Sequence, residues 1–66
     1  MRDIGKNIKR LRLRQRMTQD ELAERLFVTR QTISNYETGK SKPDVEMLLK
    51  ISEIFKIDVQ QLCRPL

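Results

Sequence analysis

The sequence has no histidine and no tryptophan, and its 66 residues include only one cysteine, two glycines, two prolines and three aromatic residues. Each scarcity removes an option. With no histidine and with Cys63 as the lone thiol, the chain builds neither an internal disulfide nor a Cys/His zinc site, the two commonest staples of domains this size. There is no imidazole base, no glycine-rich loop to hold a phosphate, and no obvious activating partner for Cys63. No catalytic residue, metal ligand, cofactor or small-molecule ligand is therefore expected. No apolar run exceeds three residues, as at Leu26–Val28, and no hydrophobic signal-peptide core follows the charged N-terminus. We expect no membrane-spanning helix and place the chain in a reducing cytoplasm.

What is present fits one small domain over residues 1–66. Apolar residues make up 38% and charged residues 35%, enough aliphatic surface to offset the entropy of ordering a small core. Stability must come from packing or from a partner. Fourteen Lys+Arg against nine Asp+Glu leave a net charge of +5, unevenly spread. Residues 1–16 are net +6, residues 17–37 are −2, residues 38–43 are +2 and residues 44–66 are −1. A focused positive region fits an anionic partner, although helices also carry lysine and arginine simply as a solvated face.

Apolar residues recur at helical spacing: Ile4, Ile8 and Leu11; Leu22, Ala23 and Leu26; Val45, Leu48, Ser52 and Phe55, with Ile51 beside them. Start signals divide the pattern into five helices, so the expected fold class is all-α, a compact five-helix bundle. Thr18 with Glu21 forms a capping box that predicts a helix from about Gln19 to Leu26. Thr29 caps the next, through about Glu37. Asp44, after Pro43, opens a fourth to about Phe55, and Asp58 with Gln61 caps a short fifth turn. The first helix spans roughly Ile4 to Arg16. Only Phe27, Val28 and Thr29 separate the second and third helices, which forces a sharp turn between two packed helices.

At about 100° per residue, Ile33 is the inward residue of the third helix, while Gln31, Ser34, Asn35 and Thr38 point roughly 100 to 160° away. That outward face is polar yet nearly uncharged. Gln, Asn, Ser and Thr are residues that hydrogen-bond base edges, whereas an ordinary solvated face in so charged a chain would carry lysine and glutamate. Arg30 sits in the first turn, where recognition helices touch bases. Arg12 lies about 40° from Ile8, and Glu37 about 40° from Ile33. Both charges therefore border buried stripes, where a salt bridge tying the first helix to the end of the third would answer each. Met47 and Ile54 share one flank of the fourth helix, and with Leu62, Cys63 and Leu66 they form either a partner stripe or ordinary surface. Leu13 is likewise off the core face.

The run Met17-Thr18-Gln19-Asp20-Glu21-Leu22-Ala23-Glu24-Arg25-Leu26, followed by Val28-Thr29-Arg30-Gln31-Thr32-Ile33-Ser34-Asn35-Tyr36-Glu37-Thr38-Gly39-Lys40 and Pro43, resembles the Cro and phage-repressor (Xre-type) helix-turn-helix family. Ile4-Gly5, Ile8 and Leu11-Arg12 resemble its first helix, and Leu48, Phe55, Ile57 and Leu62 its last two. The resemblance implies the phage-repressor DNA-binding bundle, with the helix-turn-helix over about residues 18–37, and a partner that is double-stranded DNA. It further implies that Arg30, Gln31, Ser34 and Asn35 read bases and that Gln19, Thr38, Lys40 and Lys42 touch phosphates. Structural roles fall to Ala23 as the small residue of close helix contact, to Ile33 as the anchor, and to Arg12 paired with Glu37. Gly39 would supply a positive φ.

One departure stands out, because Phe27 occupies the turn position where the family usually has glycine. Either the turn takes another path with the ring packed on the domain, or the fold sustains about 1 to 2 kcal/mol of left-handed strain. Ser52, where a small apolar residue is common, departs more mildly. The expected activity is a sequence-specific transcriptional regulator, a repressor acting as a homodimer on a near-palindromic operator. The rival is an antitoxin-like protein-interaction module that uses DNA binding for autoregulation.

Overall fold

The computed structural model describes residues 4–64, which form α1 (Ile4–Arg14), α2 (Gln19–Leu26), α3 (Arg30–Thr38), α4 (Val45–Phe55) and α5 (Val59–Cys63). Among the described residues there is no strand. Side-chain oxygens open the helices by accepting first-turn N–H groups that lack an intrahelical partner. The Thr18 hydroxyl accepts from the Glu21 N–H at 3.0 Å, and the Glu21 carboxylate accepts from the Thr18 N–H at 2.8 Å. That backbone bond, helped by the Thr18 hydroxyl and more weakly by Arg25, holds the Glu21 carboxyl below its usual pKa. Thr29 accepts from the Thr32 N–H at 3.2 Å and Asp44 from the Met47 N–H at 2.8 Å. At α5, Gln61 reaches back to the Asp58 N–H at 3.0 Å.

The helices surround one core built from Ile4, Ile8, Leu11, Met17, Leu22, Ala23, Leu26, Ile33, Leu48, Ile51, Phe55 and Leu62. Burying each large aliphatic side chain stabilises the fold by about 1.5–3 kcal/mol before entropy is counted. α3 lies against α1 and α2, and α5 lies against α1 and α4. Gly5 sets the spacing of the first pair. A Cβ there would collide with the Tyr36 carbonyl oxygen and stand 3.1 Å from that of Glu37, so α1 approaches the backbone of α3 as only glycine allows.

Four local features depart from the spacing argument. α1 stops at Arg14 rather than near Arg16, because Arg16 adopts φ 54° and turns the chain so that Met17 enters the core. Met47, Ile54 and Cys63 are partly buried at the margin of the core and Leu62 is fully buried, so this flank is not an open partner stripe; Leu66 lies outside the described residues. The core is wide enough to take in the edge of α4 but leaves out Val45, which its spacing places on the inward stripe; among the described residues the large apolar side chains left exposed are Leu13, Phe27, Val45 and Leu49. Asn7, polar by sequence, is fully buried. Its Nδ2 donates to the Leu62 carbonyl at 2.7 Å and to that of Arg64, which fastens α1 to the end of α5. Ser52 is buried as well, and its hydroxyl donates to the Leu49 carbonyl at 2.7 Å.

Candidate nucleic-acid interface

α3 is held from one side. Ile33 is fully buried, while Arg30, Gln31 and Thr38 on the far side are exposed and Ser34 and Asn35 half-buried. The outward residues are joined to one another. Gln31 Nε2 donates to Asn35 Oδ1 at 3.0 Å, one turn along the helix, so the two carboxamides are oriented as a pair. The Thr38 hydroxyl donates to the Ser34 carbonyl at 3.0 Å, so it reaches an external acceptor only by exchanging that bond. Gly39 ends α3 with φ 83°, and Lys40 and Lys42 follow on an exposed loop that returns to the core at buried Pro43. Burial raises the pKa of the half-buried Tyr36 phenol, and Asp44 adds to the rise.

The far end of α3 is fixed by a polar network. Arg12 Nε donates to Glu37 Oε2 at 2.7 Å and Arg12 Nη2 to Glu37 Oε1 at 3.1 Å, a two-pronged pair whose side chains are 9% and 3% exposed. Arg12 Nη1 also donates to the Met17 carbonyl at 2.7 Å. Gln19 extends the network across the turn: its Nε2 donates to Glu37 Oε1 at 3.0 Å, and its Oε1 accepts from Arg30 Nε at 3.4 Å. The first residues of α2 and α3 are thereby linked to α1 through one carboxylate. Ala23 is buried in the core, and its carbonyl accepts the Val28 N–H at 3.0 Å.

A depression of about 380 Å³ opens beside this network, lined by Arg12, Thr18, Gln19, Asp20 and Arg30. Arg12 is already paired with Glu37 and Asp20 adds a carboxylate, so Arg30 supplies the positive charge of its wall. The Gln19 amide gives one hydrogen to Glu37, and a carboxamide has two. Sequence reasoning placed Gln19 at the surface and Glu37 with Arg12 but missed the bond between Gln19 and Glu37. No spacing rule joins residues 18 positions apart on different helices.

The geometry so far is a short helix with a polar outer face, locked to a second helix across a three-residue turn. The sequence profile of the helix-turn-helix family matches residues 8–62, both helices and the turn included. The protein belongs to the Cro and phage-repressor type of helix-turn-helix family. This helix-turn-helix protein is 37% identical over 60 residues to the HTH-type transcriptional activator BcrR of Enterococcus faecalis, covering 91% of this chain and 29% of that one. It is 36% identical over 59 residues to the HTH-type transcriptional regulator ImmR of Bacillus subtilis, covering 89% and 46%. The crystal structure of a transcriptional regulator from Listeria innocua superposes with a TM-score of 0.85 at 29% identity, covering 89% of this chain and 55% of that one. The chain thus spans about a third to a half of these relatives. The family and these relatives are transcriptional regulators rather than enzymes. Among the described residues no helix is long and apolar enough to cross a membrane.

At the turn, Phe27 adopts φ 58° and ψ 42°, so this helix-turn-helix keeps the left-handed backbone without the glycine. The ring is not packed on the domain: the side chain is 91% exposed. Of the two paths the sequence allowed, the chain takes the strained one.

Proposed function

We propose that the protein is a sequence-specific regulator of transcription in the cytoplasm that binds double-stranded DNA as a homodimer on a near-palindromic operator and represses by occupying it. The observation that carries this reading is the outward face of α3. It is polar and, after Arg30, free of charge, and it is fixed to the fold at one end by Ile33 and at the other by Glu37. In this reading α3 enters the major groove. Arg30 pairs with guanine, and Gln31, Ser34 and Asn35 contact neighbouring base edges, each good bidentate pair discriminating by about 1–3 kcal/mol. Gln19, Thr38, Lys40 and Lys42 hold the phosphates on either side and fix the register. One such domain selects a genomic site poorly, which favours two copies on two half-sites about one helical turn apart. Repression follows from occupancy alone and needs no further surface.

Selection of bound sites from a randomised duplex pool tests the proposal directly. A two-fold symmetric consensus is the expected result; no enrichment of any sequence refutes it. Two substitutions sort the contacts. Replacing Lys40 or Lys42 with alanine is expected to weaken all duplexes alike and to reduce the slope of log affinity against log salt by about one phosphate's worth, near 0.9. Asn35→Ala is expected instead to relax preference at one or two positions of the selected site with little change in stability. Because Gln31 holds Asn35, the effects of Gln31→Ala and Asn35→Ala on base preference should not add when the two are combined. Uniform weakening across sequences would remove Asn35 from the reading set.

A further inference from the structure

Phe27 combines two unfavourable features, a left-handed backbone and a side chain left almost wholly in water. That backbone is strained for any residue with a Cβ, and glycine or asparagine accepts it more readily. The turn itself does not need the ring. It closes through the main chain, with the Phe27 N–H directed to the Ala23 and Glu24 carbonyls and the Val28 N–H bonded to that of Ala23 at 3.0 Å. Arg16 and Lys56 adopt the same left-handed backbone at other turns, so what sets Phe27 apart is the exposed ring, from which the fold gains nothing and which points to a role outside folding.

The surrounding surface indicates what that role serves. From Arg25 to Tyr36 the chain has two arginines and no acidic residue, although nine acids are spread over the 66 positions. Phe27 lies inside this acid-free stretch, two residues before the Thr29 cap of α3 and three before Arg30, so its Cα is within about 11 Å of that of Arg30. Exposed Glu24 lies one helical turn before Phe27, but Arg25 and Arg30 leave the segment 24–30 net positive, which suits a phosphate backbone.

We infer that Phe27 is a DNA-contact residue whose ring lies against the deoxyribose edge of the strand bordering the groove that α3 enters. The inference rests on the DNA-binding reading of α3 given above. Every nucleotide presents the same sugar, so the contact adds affinity without sequence preference. It neutralises no phosphate, so it leaves the salt dependence unchanged.

The test is titration of the 66-residue chain with a random-sequence duplex of about 20 base pairs at low salt, together with thermal melts of the free protein. Phe27→Gly and Phe27→Asn should each melt at or above the parental temperature, bind the duplex about fivefold more weakly, and keep the parental salt slope. Phe27→Tyr, which retains the ring, should keep the parental affinity. Parental affinity in both the glycine and asparagine variants overturns the inference and leaves the DNA-binding reading standing. Weakening in the glycine variant alone traces the effect to turn flexibility and also overturns it. Failure of the parent to bind any duplex overturns the DNA-binding reading, and this inference with it.

Discussion

Glu37→Ala is expected to destabilise the fold by about 3 kcal/mol or more, lowering the melting temperature by roughly 15 °C in a domain of this size. The expectation comes from burial. An exposed ion pair contributes about 0–1 kcal/mol, but the Glu37 side chain is 3% exposed and that of Arg12 9%. Alanine would leave the guanidinium out of water with only the Met17 carbonyl as a partner, and the Gln19 amide would lose its acceptor in the same step. The loss measures the charge left behind rather than the net worth of the pair. Replacing both partners together, as in Arg12→Met with Glu37→Leu, should therefore recover a large part of it. Urea denaturation of the two single variants and the double variant measures this. A loss below about 0.5 kcal/mol for Glu37→Ala, the range of ordinary surface changes, would show that the pair is solvated in solution. The same experiment reaches the interface, because the carboxylate that pairs with Arg12 also holds Gln19, which in turn meets Arg30. Duplex affinity of Glu37→Ala, measured where it is still folded, should fall with the loss of that alignment.

The parts of the molecule legible in the sequence are those governed by rules of short range. The capping oxygens of Thr18, Thr29 and Asp44 lie within one turn of the N–H groups they accept, and Ile33 declares itself inward by its spacing alone. The family fixes what pairwise chemistry left open, since two border charges on different helices suggest a salt bridge but do not specify it. Asn7 was illegible because a buried amide is stabilised by carbonyls 55 and 57 residues away, and composition carries no trace of them. The exposed ring of Phe27 was half-legible: the departure from glycine is visible in the sequence, but which of two backbone paths resolves it depends on whether the core has room for the ring. At the flank of α4, Met47 and Ile54 went to the margin of the core because a helix's buried arc has the width its neighbours give it.

Gly5 shows the same limit at larger energetic cost, and Gly5→Ala is expected to destabilise the fold by about 2–3 kcal/mol. On local grounds the substitution should help, because alanine is favoured over glycine inside a helix by about 1 kcal/mol and Gly5 lies in α1. Packing reverses the sign. The added methyl would meet the carbonyl oxygens of Tyr36 and Glu37, and these are backbone atoms of α3 with no rotamer through which to yield. α1 would have to draw away from α3, stretching the Arg12–Glu37 pair that joins the same two helices. The steric loss and part of the ion-pair loss are therefore coupled, and Gly5→Ala combined with Glu37→Ala should cost less than the two effects added. Gly39→Ala provides the contrast. A Cβ there would meet nothing within 4 Å, so its expected cost, about 1 kcal/mol, comes only from holding alanine at φ 83°. Thermal or urea denaturation of the two variants should rank Gly5→Ala well below Gly39→Ala in stability. The opposite order would mean that α1 and α3 approach less closely than the helix packing described above requires.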